Sequence, residues 1–519
     1  MKKLFYFILI LSAGMISACK KDKGPGKTDD TKATKLQLTE DSVYMFAKED
    51  YYWNSVIPDY NAFNPRKYTG SNDLDALSSE IDGYTQLTKN PLNANRPYEY
   101  DSFNPGSSKY SFIDDGTVNG ELNGTKGDFG FNYFYNTYTD IRVSLVYAGS
   151  PAADAGLVRG DQITAINGSS GNSIYITNTA DPANDAGYKF VSNAVDNGST
   201  ITLVIKKTNG TTVNKELTAK VYTTNPVITY KTFNLSNGKV AGYVVFSSFT
   251  SLANAQPKLD AAFSSFASAG VTDVIVDLRY NGGGYVETSE YLSNLIVPSG
   301  ASGSVMNTTY WTDNLQNDKY PILKAKLGDF GAGFFKPTNT NQIAKFSKKG
   351  GLNVNRVFFI VTGNTASASE LTINNLRPKM NVQLIGETTY GKPVGFLSNL
   401  IINGYYLFTP EFETKNSAGE GGYYAGMTPE GATPSGGIYA GKHDTDDLTR
   451  DFGDENEGLL KDALTYIESN IYPESSTVKV QSLEANATQT MSSAQRNALS
   501  VKTNRHTFHG MLIKLPAKK

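Results

Sequence analysis

The chain has 519 residues, 39% of them hydrophobic and 19% charged, with a formal net charge of −2. That length allows two or three domains, and 32 Tyr and 26 Phe supply ample core. The near-neutral balance excludes a nucleic-acid binder that works by basic charge, and the single cysteine excludes an internal disulfide. Beyond the N-terminal segment, no run is apolar over the roughly 20 residues that a membrane-crossing helix needs.

The chain opens with Lys2 and Lys3 before "LFYFILIL", which is too short to span a bilayer and suits the apolar region of a signal peptide. "ISAC" follows and ends at Cys19. The stretch resembles the bacterial lipobox, which implies a signal peptide over 1–19 and lipidation of Cys19. Several acyl chains together anchor stably, where one anchors only reversibly. Lys20 after the cysteine implies the outer membrane, by the same resemblance. Residues 20–35 carry no large apolar side chain and read as a solvated tether.

Residues 36–124 read as a mostly helical N-terminal piece. In "DSVYMFAKEDYYW", Asp41 is the expected N-cap, with Val43, Phe46 and Ala47 on one face. Residues 125–222 then alternate as strands around "SPAADAGLVRGDQITAING". This segment resembles the most recognisable part of a PDZ domain. Such a domain adds an incoming peptide as a strand and holds its free carboxylate on backbone N–H groups. The resemblance puts that carboxylate loop at "FGFN": Phe129, Gly130, Phe131 and Asn132.

From 226 to 472 strand and helix alternate, which implies parallel strands joined by crossovers, with functional groups at the strands' C-terminal ends. "VTDVIVDLRYNGGG" is a buried strand entering a glycine turn. "RVFFIVTG" is a buried strand running through "NTASAS" into a helix, and "NVQLIGE" is a further strand. A serine in a crowded strand-to-helix turn suits acyl transfer, because the helix N-terminal N–H groups face a developing oxyanion. Serine also caps helices for purely structural reasons. On the turn alone, either Ser367 or Ser369 qualifies.

Only three histidines occur, His443, His506 and His509, all far downstream. A Ser–His–Asp triad therefore has little to draw on. A lysine serves as base if a dry pocket lowers its pKa toward neutrality. "GETTYGKPVG" supplies Lys392, 25 residues past Ser367, in a turn after an apolar strand. "TASASE", "GETTYGK", "DLRYNGGG" and the preceding PDZ-like segment, in this order, resemble the C-terminal processing (tail-specific) peptidases. The resemblance implies an α/β core with a parallel or mixed sheet of ClpP/crotonase type. It makes Ser367 the nucleophile and Lys392 the general base, with Ser369 as support. The backbone N–H of Ala368 and of Gly284, or alternatively Gly283, would form the oxyanion hole. No metal or cofactor is implied, and the expected partners are proteins or peptides with free C-termini.

Many members of that family carry a lysine-orienting glutamine where this chain has Phe396; Thr388 and Ser398 are substitute candidates. A competing reading is a noncatalytic peptide- or glycan-binding lipoprotein that keeps the fold. His443 reads as a loop residue, and Asp277 and Arg279 as organisers of the turn. Residues 473–519 read as a polar, loosely ordered tail in which His506 and His509 are exposed.

Overall fold

The computed structural model describes residues 33–474, apart from 92, 94, 103, 399 and 431–437, together with 491, 495, 496, 499 and 508–515. Cys19 and the tether to residue 32 lie outside the described residues. Helix α1 (Lys35–Asp50) starts about two turns earlier than expected. Thr34, not Asp41, is its N-cap, in a capping box with Gln37 (Gln37 N–H to Thr34 Oγ1, 3.2 Å). Asp41, half-buried within the helix, pairs with Arg66. Val43 and Ala47 bury against α2 (Asp73–Thr85), forming the expected helical N-terminal piece. A short strand, β1 (Phe112–Asp114), follows.

The PDZ domain is an antiparallel sheet ordered β2 (Phe131–Thr137), β3 (Asp140–Val146), β4 (Gln162–Ile166), β5 (Thr200–Lys206) and β6 (Thr212–Thr218). Helix α3 (Ala186–Asp196) packs on it through Tyr188, Val191 and Val195. β2 is an edge strand, so its outer backbone groups face a groove of about 390 Å³ lined in part by Phe129, Phe131, Tyr133 and Val195.

The remaining domain is built on two six-stranded sheets. The first begins with β7 (Val227–Asn234) antiparallel to β8 (Val240–Phe246). After helix α4 (Leu252–Ser268), β9 (Asp273–Asp277) lies parallel to β8. The chain then builds β10 (Gly283–Tyr285), α5 (Val286–Ile296), β11 (Val305–Trp311) and β12 (Ile343–Lys345). It returns as β13 (Arg356–Val361), α6 (Ala368–Leu376) and β14 (Asn381–Gly386), both strands parallel to β9. After β15 (Val394–Leu397), β16 (Tyr405–Phe408) and β17 (Phe412–Asn416), β18 (Gly441–His443) completes the first sheet. Its order is β7-β8-β9-β13-β14-β18.

Alternate residues of these strands point to opposite faces, as strand geometry requires. Val274, Val276, Val357 and Phe359 pack with Leu259, Phe263 and Leu371 of α4 and α6. Ile275, Phe358 and Ile360 pack on the other side, under helix α7 (Gly458–Ser469) and PDZ residues Phe134 and Leu145. Runs such as "VFFIV" are uniformly apolar because both faces are covered.

The second sheet runs β10-β19-β15-β17-β11-β12, where β19 is Gly510–Ile513. This corrects the expectation of a loose tail: Gly510–Ile513 form a strand paired on both sides, next to the edge strand of a sheet.

A buried ionic network locks the PDZ domain to this core. Arg159 donates to the Ser144 carbonyl (3.1 Å), the Tyr280 hydroxyl (2.5 Å) and Asp446 (2.7 Å). Arg279 donates to Asp446 (2.7 Å), Glu457 (2.8 Å) and Asp277 (2.7 Å). The two guanidinium groups hold the Asp446 carboxyl well below its ordinary pKa despite burial. Removing one partner of such a network strands charges in a dry interior. Arg279→Met is expected to cost about 3–5 kcal/mol of stability, read as a lowered denaturation midpoint.

Candidate active site

β9, β13 and β14 are adjacent parallel strands, and the turns at their C-terminal ends carry the glycine turn, Ser367 and Lys392 respectively. Cross-bonds fix the first two turns together. Thr365 Oγ1 donates to the Leu278 carbonyl (2.8 Å) and Ser369 Oγ to the Asn281 carbonyl (2.9 Å), while Ala366 N–H donates to that same carbonyl (3.1 Å). Ser369 is thus bonded into the scaffold and Ser367 is not. The Ser367 hydroxyl is fully buried and has no hydrogen-bond partner among the described residues.

Ser367 is the N-cap of α6 and adopts φ 56°, ψ −102°. That conformation lies outside the small left-handed region open to ordinary residues, and it persists only where the surroundings over-determine it. Glu370, three residues on, does so. Its Oε2 accepts from the backbone N–H of both Ser367 (2.8 Å) and Lys392 (2.9 Å). Its Oε1 accepts from the Gly391 N–H (2.8 Å) and the Thr389 hydroxyl. One buried carboxylate therefore holds the serine and the lysine, each backbone nitrogen under 3 Å from the same oxygen. The sequence reading passed over Glu370, although the Ser-x-x-Glu spacing of a capping box signals it.

The Lys392 side chain is fully buried. Its amine donates to the carbonyls of His509 (2.5 Å) and Tyr110 (3.4 Å) and sits 3.7 Å from the centroid of the Phe396 ring. Desolvation drives its pKa well below 10.5, aided by repulsion from Lys109, while Glu99, Glu370 and Glu411 pull the other way. Lys109, half-buried over the Tyr110 and Tyr390 rings, is itself lowered by burial to about 8. The amine lacks the orienting glutamine, but it has two carbonyls and an aromatic face instead. Neither substitute candidate bonds to it: Thr388 pairs with Thr428 (3.0 Å), and the Ser398 hydroxyl is buried without a partner among the described residues. Tyr110 and Lys109, which wall this pocket, come from the N-terminal region, where the sequence showed no chemistry.

In the glycine turn, Gly283 has φ +113°, and a Cβ there would meet the Gly510 carbonyl oxygen at 2.2 Å and the Ala368 nitrogen at 3.0 Å. The turn thus lies directly against the start of α6. The Gly283 N–H donates to Asn281 Oδ1 (2.9 Å), so that amide is already engaged.

His509 departs from expectation. It is half-buried, its ring is stacked on Tyr390 (centroids 5.0 Å apart), and its carbonyl accepts from Lys392. His443 closes β18, exposed, and His506 lies outside the described residues. Asp277 and Arg279 belong to the buried network, as expected. Among the described residues no cluster of three or more His, Cys, Asp or Glu side chains could hold a metal ion.

In the PDZ domain, Phe129 and Gly130 of "FGFN" form the loop entering β2, and Phe131 and Asn132 begin the strand. Gly130 has φ +83°, and a Cβ there would overlap Ser150. Its N–H donates to Asp128 Oδ1 (2.7 Å). Phe131 and Asn132 pair with Val146 and Leu145, and Phe129 is buried beneath them.

These features define a class: an α/β core with a strained serine and a dry lysine at neighbouring strand ends, joined to a PDZ domain. The model of peptidase family S41 matches residues 240–429, and a PDZ model matches residues 142–170. Residues 240–429 thus resemble a peptidase domain of family S41. It is 27% identical over 315 residues to a carboxyl-terminal-processing protease of a Picosynechococcus species, covering 60% of each chain. It is 28% identical over 245 residues to the carboxy-terminal processing protease CtpA of Bacillus subtilis, covering 47% of this chain and 42% of that one. The chain thus matches 60% or less of the length of these relatives. A solved S41 protease structure from Bacteroides fragilis shares the fold, with a TM-score of 0.53 at 24% identity over 82% of this chain and 96% of that one.

Proposed function

We propose that this protein is a lipid-anchored serine endopeptidase, with Ser367 as nucleophile and Lys392 as general base. Neutral Lys392 takes the proton from Ser367 Oγ, which attacks a peptide carbonyl. The oxyanion rests on the N–H groups of Ala368 and Gly284, since Asn281 already engages that of Gly283. The resulting lysinium protonates the leaving amine, and a water activated by the same lysine clears the acyl-enzyme. The observation that carries this reading is the shared Glu370 oxygen, which holds both residues beside an amine that burial keeps low in pKa.

The PDZ groove beside edge strand β2 fits capture of a substrate's C-terminal end by strand addition, and Cys19 would tether the enzyme to the outer membrane. One observation favours the alternative of a noncatalytic binder: the Lys392 amine is bonded to carbonyls rather than to Ser367. Incubation with unfolded casein decides between them. Cleavage by the wild type and none by Ser367→Ala is expected; cleavage by neither supports the binder. Cys19→Ala is expected to move the protein from the membrane fraction to the soluble one.

A further inference from the structure

The site just described is closed. Ser367 and Lys392 are fully buried, and part of what covers the lysine is the protein's own segment leading into strand β19. β19 lies between β10, which carries the glycine turn, and β15, which follows Lys392, and it runs parallel to both. Gly510 N–H donates to the Gly282 carbonyl (2.9 Å), and the Ile513 carbonyl accepts from Ser398 N–H (2.9 Å). Without β19, the facing edges of β10 and β15 would form a slot one strand wide, with unpaired backbone groups on both sides. That is a site for an extended peptide.

The occupant reaches the reacting groups. The His509 carbonyl accepts from the Lys392 amine, and the Gly510 carbonyl lies against the Gly283 Cα beside the Ala368 nitrogen. Upstream, Phe508 enters an aromatic pocket, its ring centroid 6.1 Å from Phe112, 6.1 Å from Phe396 and 5.8 Å from Phe408. A side chain on Gly510 would overlap the Phe508 and Phe396 rings, at 2.3 and 2.7 Å. Downstream, Lys514 and Leu515 run along an open cavity of about 420 Å³, which leaves room for a longer chain. The segment is also tethered at a distance. Helix α7 ends at Ser469 and β19 starts at Gly510, and between them Met491 and Leu499 bury into the PDZ core. A strand held by a long connection can leave and return at a high effective concentration without unfolding the domain.

Resting on the peptidase reading, we propose that Phe508–Ile513 occupy the peptide-binding cleft as a substrate-like strand. The Phe112–Phe396–Phe408 pocket then selects peptides with an aromatic residue two positions before a glycine. Phe396, which stands where a lysine-orienting glutamine was expected, thereby acquires a role in specificity.

The test uses the full chain carrying Ser367→Ala, so that nothing is cleaved, and the fluorescein-labelled peptide Phe-His-Gly-Met-Leu-Ile as probe. Adding Phe508→Ala or Gly510→Val is expected to free the slot and tighten peptide binding at least ten-fold by anisotropy. The same peptide with alanine for phenylalanine should fail to bind. The proposal is overturned if a variant that keeps the native unfolding transition gains no binding. It is equally overturned if the alanine peptide binds as well, or if both variants lose the transition, which would make β19 a fixed strand of the core. Gained peptide binding with no casein cleavage by Phe508→Ala or Gly510→Val chains that keep Ser367 would sink the peptidase reading and leave this one standing.

Discussion

Lys392→Met is expected to lower casein turnover about 10³-fold or more while raising the thermal unfolding midpoint. The loss follows from removing the proposed general base, and Lys392→Ala should match it. The stabilisation follows from the depressed pKa of the lysine. A lysine in the unfolded chain keeps its proton up to its ordinary value, about 10.4, whereas burial strips it from the folded site well below that. Between those two values the unfolded state binds more protons, so stability rises with pH, and the cost of burying the amine is greatest at low pH. Methionine fills the same space without a charge to desolvate, so its variant should show a flatter midpoint-versus-pH curve. In the wild type, kcat/KM should climb as pH rises through the folded lysine's pKa and then level off. A profile that falls over that window would refute a neutral-amine mechanism.

Glu370→Ala is expected to damage both stability and turnover more than any other substitution of a residue outside the reacting pair. It would leave the N–H groups of Ser367, Gly391 and Lys392 and the Thr389 hydroxyl without their acceptor. At roughly 1–3 kcal/mol for each buried donor stranded, a loss of several kcal/mol follows. Displacement of the lysine turn by about 1 Å would lower kcat by about 10²-fold. Glu370→Gln keeps the shape but offers one acceptor oxygen where the carboxylate offers two, so it should fall between alanine and wild type. Chemical denaturation and casein turnover on the same preparations separate the two effects. Wild-type turnover by a folded Glu370→Ala protein would show that the carboxylate does not position the pair.

The parts of the site that were legible in the sequence are those that local pattern encodes. An apolar run followed by small residues and a serine can hardly be anything but a buried strand turning into a helix, and "GETTYGK" repeats the signal one strand over. The PDZ segment and the helical N-terminal piece declared themselves in the same way. The missing parts depend on distant pairing. "GMLIK" is too short and too plain to announce a strand, and only its fit between β10 and β15 makes it one. Tyr110 reaches the lysine from 282 positions away. Asp41 reads as a cap because an apolar face follows it directly, yet the Thr34–Gln37 box starts the helix before its main buried face does.

The twisted backbone at Ser367 has a consequence for how this protein could change over time. Glycine would accept φ 56°, ψ −102° with little penalty, while any residue with a β-carbon is held there at a cost of order 1–3 kcal/mol. The fold would therefore be more robust without the hydroxyl that the proposed chemistry needs. Relatives released from selection for turnover should drift toward glycine at this position first, becoming hardier and inert.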